Sequence, residues 1–369
     1  MVVEILRLGI YQIIYMDKVP ESAAVNESVK LAKKLTRGLS GFVNAILRSV
    51  IREQNSIGIE DLAANDIEAI SFIYNIPLWL INLWISEFGR DKTEDLCAWF
   101  NEQPKLTARI NTILIDIPQC LTMLNEQGWA VTQDSNYEDI IYINSHRGSL
   151  EKSEAFIKGY ITFMDKASML VARLVNPQPG ERILDCCAAP GGKSMYMATL
   201  MNNVGSLMSC DIHEHKIELM NSNADRLGAS IVHTKVQDAT KLPDSWNSYF
   251  DRVLVDAPCS GLGILQKKLD MRWRKQESIL RELPPLQLAI LERAAMTVKE
   301  KGYLIYSTCT LNYKENEEVV EAFLQKHKEF SIIPVVEDFP LKSNSGMITT
   351  YPPTDDMDGF FMVKMQRIS

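Results

Sequence analysis

The sequence predicts an α/β chain built on a mostly parallel sheet with helices on both faces. Three observations carry that prediction. From Met169 onward, short apolar strands alternate with amphipathic helices, the pattern of a crossover-connected parallel sheet. The stretch Ile183-Leu-Asp-Cys-Cys-Ala-Ala-Pro-Gly-Gly-Lys-Ser194 reads as a strand, a glycine loop and the start of a helix. Two further segments, Asp256-Ala-Pro-Cys259 and Ser307-Thr-Cys309, fall with that loop at the carboxyl ends of expected strands, where open parallel sheets bind their ligands.

In order along the chain, residues 1–60 read as helices. Ile5, Leu6, Leu8, Ile10, Ile13 and Ile14 form a helical stripe that Pro20 breaks. Residues 22–35 form a second amphipathic helix, with Lys30, Lys33 and Lys34 on a solvated face, and residues 42–52 form a third. A helical linker over 61–104 follows. In it Asp61 and Asp66 can cap short helices, and Pro77 starts a helix carrying Trp79, Leu80, Leu83 and Trp84; the tryptophans read as packing between domains. Residues 105–165 change to a small α+β unit: 106–114 alternates like a strand, 118–128 reads as a helix and 140–143 as another strand. Over 166–369 the strands are expected at 182–185, 207–211, 231–236, 252–256 and 303–307, the helices at 193–201, 214–227, 286–299 and 315–327, and a closing strand at 360–365.

Composition narrows the function classes. A chain of 369 residues, 46% hydrophobic and 23% charged, is ordinary for a globular protein of two or three domains. Its net charge of −8 argues against coating nucleic acid through bulk charge and leaves a local basic patch as the route. Seven cysteines without a C-x-x-C pair point to reduced thiols in a cytoplasmic protein, with no metal expected. Glu4 and Arg7 interrupt the apolar start, so no secretory signal is expected. The apolar run 73–85, broken by Asn75, Pro77 and Asn82, is too short to span a bilayer. A monomer is expected.

The glycine loop admits three readings. Cys187-x-x-x-x-Gly192-Lys193-Ser194 nearly fits a phosphate loop, but its first glycine is missing and Pro190 removes an N–H that a phosphate cradle uses. A dinucleotide site wants G-x-G-x-x-G, and only Gly191 and Gly192 are present. S-adenosylmethionine has no phosphate, so the loop need only pass close to its amino-acid and sulfonium portion. That third reading expects an acidic residue at the end of the next strand, for the ribose hydroxyls, and a polar residue after the third, near adenine. Asp211 and Asp238 stand there. A helix cap is the alternative for each.

Neighbouring strand ends bring Cys259 and Cys309 to one cleft. Carbon 5 of a pyrimidine is a poor nucleophile; a thiolate adding at carbon 6 makes it enamine-like, and one hard step becomes two easier ones. Asp256 can donate to the ring nitrogen, and a second thiol can assist loss of the carbon-5 proton. Amine methylation needs no thiol.

Asp185-x-Cys187-Ala-Ala-Pro-Gly-Gly-Lys193, Asp256-Ala-Pro-Cys-Ser-Gly261 and Ser307-Thr-Cys309 together resemble the Sun-type RNA 5-methylcytosine methyltransferases, most of all the bacterial RsmB branch. The resemblance covers nearly the whole chain. Val25-Asn-Glu27 and Phe42-Val-Asn-Ala-Ile-Leu-Arg48 are similar to the second half of a NusB-like domain, which looks truncated at Met1, and Ala108-Arg-Ile-Asn111 resembles the start of a small RNA-recognition-like subdomain. The resemblance implies a Rossmann-like class I methyltransferase domain that uses S-adenosylmethionine and methylates a cytosine of small-subunit ribosomal RNA. It implies that Cys187, Ala188, Ala189, Pro190, Gly191, Gly192 and Lys193 line the donor site, with Asp211 on the ribose, Asp238 near adenine and Asp256 beside the transfer centre. It makes Cys309 the nucleophile and Cys259 the residue that assists release. Leu269-Asp270 departs from the family's Pro-Asp, and Met164 stands where a glutamine is common. Lys267, Lys268, Arg272, Trp273, Arg274 and Lys275 form a basic, aromatic-bearing stretch expected to hold RNA phosphates. The rival functions are a nucleotide hydrolase built on the near-match phosphate loop and a non-catalytic RNA-binding or ribosome-assembly protein.

Overall fold

In the computed structural model, which describes residues 1–53, 67–335, 339–341, 343 and 345–368, the chain divides into two units, Met1–Ile73 and Tyr74–Ser369. The expected caps Asp61 and Asp66 lie outside the described residues.

The first unit is built from the helices Val2–Tyr15, Glu21–Leu35 and Ser40–Glu53. Ile5, Ile13, Val25, Ala32, Val43 and Leu47 form its core, and Lys30, Lys33 and Lys34 are exposed as expected. Gly9 is needed where it stands: a Cβ there would meet Ser28 Oγ at 2.7 Å and Leu47 Cδ1 at 2.8 Å, so only a bare backbone lets these helices approach.

The second unit opens with the helix pair Leu78–Phe88 and Arg90–Asn101. Trp84 is buried within this pair against Phe100, ring centroids 5.5 Å apart, which makes its packing internal to the helix pair rather than between domains. An antiparallel sheet follows, with β1 (Thr107–Ile110), β2 (Ala130–Gln133), β3 (Ile140–Ser145) and β4 (Ile161–Phe163) in the order β2-β3-β1-β4. The expected strand over 106–114 stops at Ile110 because the Asn111 side chain is buried in a turn, donating to Gly159 O and Leu227 O, both at 2.9 Å. β2 and β4 were not expected; they are three or four residues long, and β2 is largely exposed.

The large sheet contains β5 (Arg182–Asp185), β6 (Ser206–Asp211), β7 (Val232–Val236), β8 (Phe250–Asp256), β9 (Val298–Thr308), β10 (Phe330–Ile332), β11 (Met347–Thr349) and β12 (Phe361–Arg367). Its order is β10-β12-β9-β8-β5-β6-β7, with β11 also on β12. β5 to β9 are parallel and β12 runs antiparallel on β9. The helices Lys166–Val175 and Gly192–Leu200 pack on one face around Met169, Leu170 and Tyr196. The helices Ile279–Ala295 and Glu317–Lys326 pack on the other around Ile290, Leu291 and Phe323. The order turns at β5, from which β6 and β7 lead one way and β8 and β9 the other; this switch point opens a crevice at the carboxyl ends of the strands.

Two helices differ from expectation. The helix expected over 286–299 begins at Ile279 with Pro284 and Pro285 inside it; each proline removes one helix N–H, and the burial of Leu280, Gln287 and Ile290 offsets the loss. It ends at Ala295, and Val298 already belongs to β9. The helix expected from residue 315 begins at Glu317, because Tyr313–Glu315 is a separate 3₁₀ turn capped by the Asn312 side chain.

Candidate active site

The register of the parallel strands builds the site. β5 pairs with β8 through Asp185↔Leu254, and β8 pairs with β9 through Asp256↔Ser307. Asp256 and Ser307 are therefore neighbours, and Ser307 Oγ donates to Asp256 Oδ1 at 2.8 Å. Each strand then runs a few residues further to its cysteine. The two loops converge until Cys259 Sγ and Cys309 Sγ lie 3.2 Å apart.

A cleft of about 590 Å³ lies at these strand ends, lined by Cys187, Ala189, Asp211, Asp238, Asp256, Cys259 and Cys309. Seven of the expected site residues thus share one space. Ala188, Pro190, Gly191, Gly192 and Lys193 do not line it. They shape it from behind: Ala188 N donates to Cys210 O at 2.7 Å, which ties the loop to β6, and Gly191, with φ +99°, turns the chain into the helix Gly192–Leu200. A Cβ on Gly191 would meet Met220 Cγ at 3.2 Å.

Lys193 has a role that the loop reading did not foresee. Its Nζ donates to Asp256 Oδ2 at 2.7 Å. Burial opposes the ammonium, but Asp256, Cys309 and Asp185 together more than offset it, so Lys193 is held above its ordinary range. Cys259 is pushed well above a normal thiol, first by its hydrogen bond to Cys309 and then by burial. Cys309 Sγ thus lies against Cys259 Sγ and within electrostatic reach of the Lys193 cation. Asp185, behind the loop, is fully buried, and burial raises it to about 7 despite the hydrogen bond from Ser194 Oγ at 2.6 Å.

Asp211 is buried at the end of β6 and accepts from His213 N at 3.0 Å. Asp238 caps the turn Ala239–Lys241, accepting from Thr240 N at 2.9 Å and Thr240 Oγ1 at 2.7 Å, and these bonds hold its carboxyl below the usual range. Its other oxygen is 3.5 Å from Lys241. Capping and cleft lining coexist in the same residue. Sequence reasoning missed the apolar walls, Ile212, Leu286 and Ile290. Ile212 carried a signal, an isoleucine beside the strand-end aspartate that stays 58% exposed where a ligand would cover it.

The basic stretch is corrected at Arg272, and Lys267 is engaged by the protein's own carboxylates. Arg272 is 4% exposed and binds Asn101 Oδ1 at 2.7 Å and Phe100 O at 2.5 Å. Lys267 binds Asp165 and Asp358. Arg272 acts inside the fold and Lys267 is held by carboxylates at its edge, because a carboxylate or carbonyl within reach outcompetes solvent for a cation. Lys268 and Trp273 stay exposed, and Arg274 is exposed beside Asp270.

The cleft accommodates S-adenosylmethionine: its volume falls in the range of small-molecule sites, and it offers strand-end carboxylates between apolar walls. Comparison with known proteins agrees. Residues 172–366 match the family described as 16S rRNA methyltransferase RsmB/F, residues 1–52 the NusB family, and residues 76–148 the ferredoxin-like domain of RsmF/B-like methyltransferases. The chain is 37% identical over 373 residues to the probable ribosomal RNA small subunit methyltransferase B of Bacillus subtilis, covering 99% of this chain and 83% of that protein. It is 38% identical to the corresponding protein of Synechocystis, covering 98% and 82%. The crystal structure of PH0851 superposes with a TM-score of 0.85 at 27% identity, covering 99% of this chain and 82% of that one. NSun6 from Pyrococcus horikoshii with SFG shares the fold, with a TM-score of 0.72 at 22% identity, covering 79% and 98%. The chain belongs to the RsmB/F family of 16S rRNA methyltransferases.

Proposed function

We propose that this S-adenosylmethionine-dependent methyltransferase acts on carbon 5 of a cytosine in small-subunit ribosomal RNA, through a covalent bond between Cys309 and the base. The observation that carries the reading is the pair of sulfurs 3.2 Å apart in the cleft that also holds Asp211 and Asp256. The relatives' names supply the RNA class.

Bound S-adenosylmethionine supplies an electrophilic methyl group, with Asp211 for its ribose, Asp238 beside its adenine and the Cys187–Lys193 loop along its amino-acid end. The chain's own residues do the rest. Cys309 releases its thiol proton to solvent, adds through its sulfur to carbon 6 and makes carbon 5 nucleophilic. Lys193 passes a proton through Asp256 to ring nitrogen 3 as charge develops there and recovers it when the ring double bond is restored. The Cys259 proton is lost to solvent and its sulfur takes the carbon-5 proton. The electron pair of that C–H bond restores the ring double bond and expels the Cys309 thiolate.

Labelled methyl transfer to small-subunit rRNA, with bisulfite mapping of the product, tests this reading. Cys309→Ala should abolish turnover, whereas Cys259→Ala should accumulate a covalent protein–RNA adduct that runs slowly on a denaturing gel. An adduct formed only by Cys309→Ala would reverse the two roles, and binding of RNA without transfer by the wild type would favour a scaffold.

A further inference from the structure

The structure assigns a task to a residue outside the cleft: we propose that Glu315 is a positioning residue that sets the spacing of the two sulfurs. The inference rests on the covalent reading above. Glu315 is fully buried at the end of the turn Tyr313–Glu315. Its Oε2 accepts from Ser260 N at 2.8 Å and Gln287 Nε2 at 2.9 Å. Its Oε1 accepts from Asn312 Nδ2 at 2.9 Å and from Ser260 Oγ at 2.5 Å. Gln287 Nε2 also donates to Pro258 O at 3.0 Å, and Ser260 Oγ meets Thr310 Oγ1 at 2.7 Å. Tyr306 OH donates to the Glu315 carbonyl at 2.6 Å.

Pro258 and Ser260 flank Cys259, while Thr310 and Asn312 follow Cys309. One carboxylate therefore ties both cysteine loops, directly at Ser260 and Asn312 and through Gln287 at Pro258. All four donors to it are neutral. Burying a carboxylate among neutral dipoles is costly compared with an apolar side chain of the same volume. What a carboxylate with both oxygens satisfied provides is a single geometry. The geometry matters here because a misplacement of about 1 Å at reacting groups costs on the order of 100-fold in rate.

Glu315→Gln keeps the shape but turns one acceptor into an NH₂ that must face a donor. The expected result is cooperative unfolding retained, S-adenosylmethionine affinity by calorimetry and KM for RNA each within twofold of wild type, and kcat reduced about 100-fold. The covalent adduct should persist on a denaturing gel, because Cys259 no longer meets the carbon-5 proton. Gln287→Met cuts the tie to Pro258 at similar volume and should give the same split with a smaller loss, about tenfold; it decides the matter if Glu315→Gln fails to fold. A folded variant that turns over like wild type overturns the proposal, and so does a parallel fall in kcat and both affinities. If the wild type itself forms neither 5-methylcytosine nor adduct, the covalent reading fails first and the proposal falls with it, an outcome distinguishable from failure in the variants alone.

Discussion

Asp256→Asn isolates the charge of one carboxylate at nearly constant shape. The asparagine keeps an oxygen for Lys193 or a partner for Ser307, so the hydrogen-bonding loss is small. The ion pair is lost outright. Lys193 is 11% exposed and Asp256 26%. Removing one partner of a fully buried pair costs about 3–5 kcal/mol, and an exposed pair contributes roughly 0–1 kcal/mol. With the carboxylate a quarter in water, the expected loss is about 2 kcal/mol. Its pH dependence identifies the cause. In the wild type Lys193 is raised above 10.5, so its stabilisation is complete below the unfolded value and disappears only as pH rises through the folded one. In the variant the largest opposing partner is gone and only Cys309 and Asp185 still counter burial, so that pKa falls, and the destabilisation is largest near neutrality and shrinks as pH rises toward 10. Urea unfolding at pH 7 and near pH 10 measures both terms, and labelled methyl transfer should fall about 10²–10⁴-fold for loss of an acid–base group. A gap below 0.5 kcal/mol that does not change with pH, together with turnover within threefold of wild type, would refute the assignment of Lys193 and Asp256 as a working pair.

Three other outcomes follow from particular contacts. Gly263→Ala places a Cβ 1.9 Å from Gly359 O, and Gly263 N donates to Cys309 O at 3.0 Å; the clash should lower kcat at least tenfold by displacing the nucleophile's backbone, while S-adenosylmethionine titration stays near wild type. Arg272→Ala should cost about 2–3 kcal/mol in urea unfolding, as expected for charge-assisted bonds to Asn101 and Phe100, and should leave RNA affinity by filter binding unchanged. Lys364 is lowered to about 8, first by burial and then by Arg252. Its ammonium therefore weakens the fold below that pH and the penalty lifts as pH climbs from about 8 toward 10.5, so Lys364→Met should stabilise by ~1–3 kcal/mol at pH 7 and by progressively less in alkali; a gain that grows with pH would contradict the burial argument.

Residue order by itself determined which strand ends gather the cleft residues. Apolar runs ending in Asp185, Asp211 and Asp256 mark strands whose carboxyl ends face one way, because a parallel sheet linked by crossovers admits no other arrangement. The glycine loop and both cysteines follow from that same regularity. The shorter strands β2 and β4 left no comparable trace, since three or four residues do not make a period. Tertiary structure alone decided which polar groups meet. Arg272 and Trp273 are adjacent in the same basic stretch, yet one is buried on the Phe100 carbonyl and the other faces solvent. Lys193 looked like part of a ligand loop and turns toward Asp256, 63 positions away. Glu315 carries no motif and joins loops separated by 50 residues. Strand ends are set by local periodicity, but a side chain's partner is set by which distant backbone the folded core brings within 3 Å, and local sequence does not encode that distance.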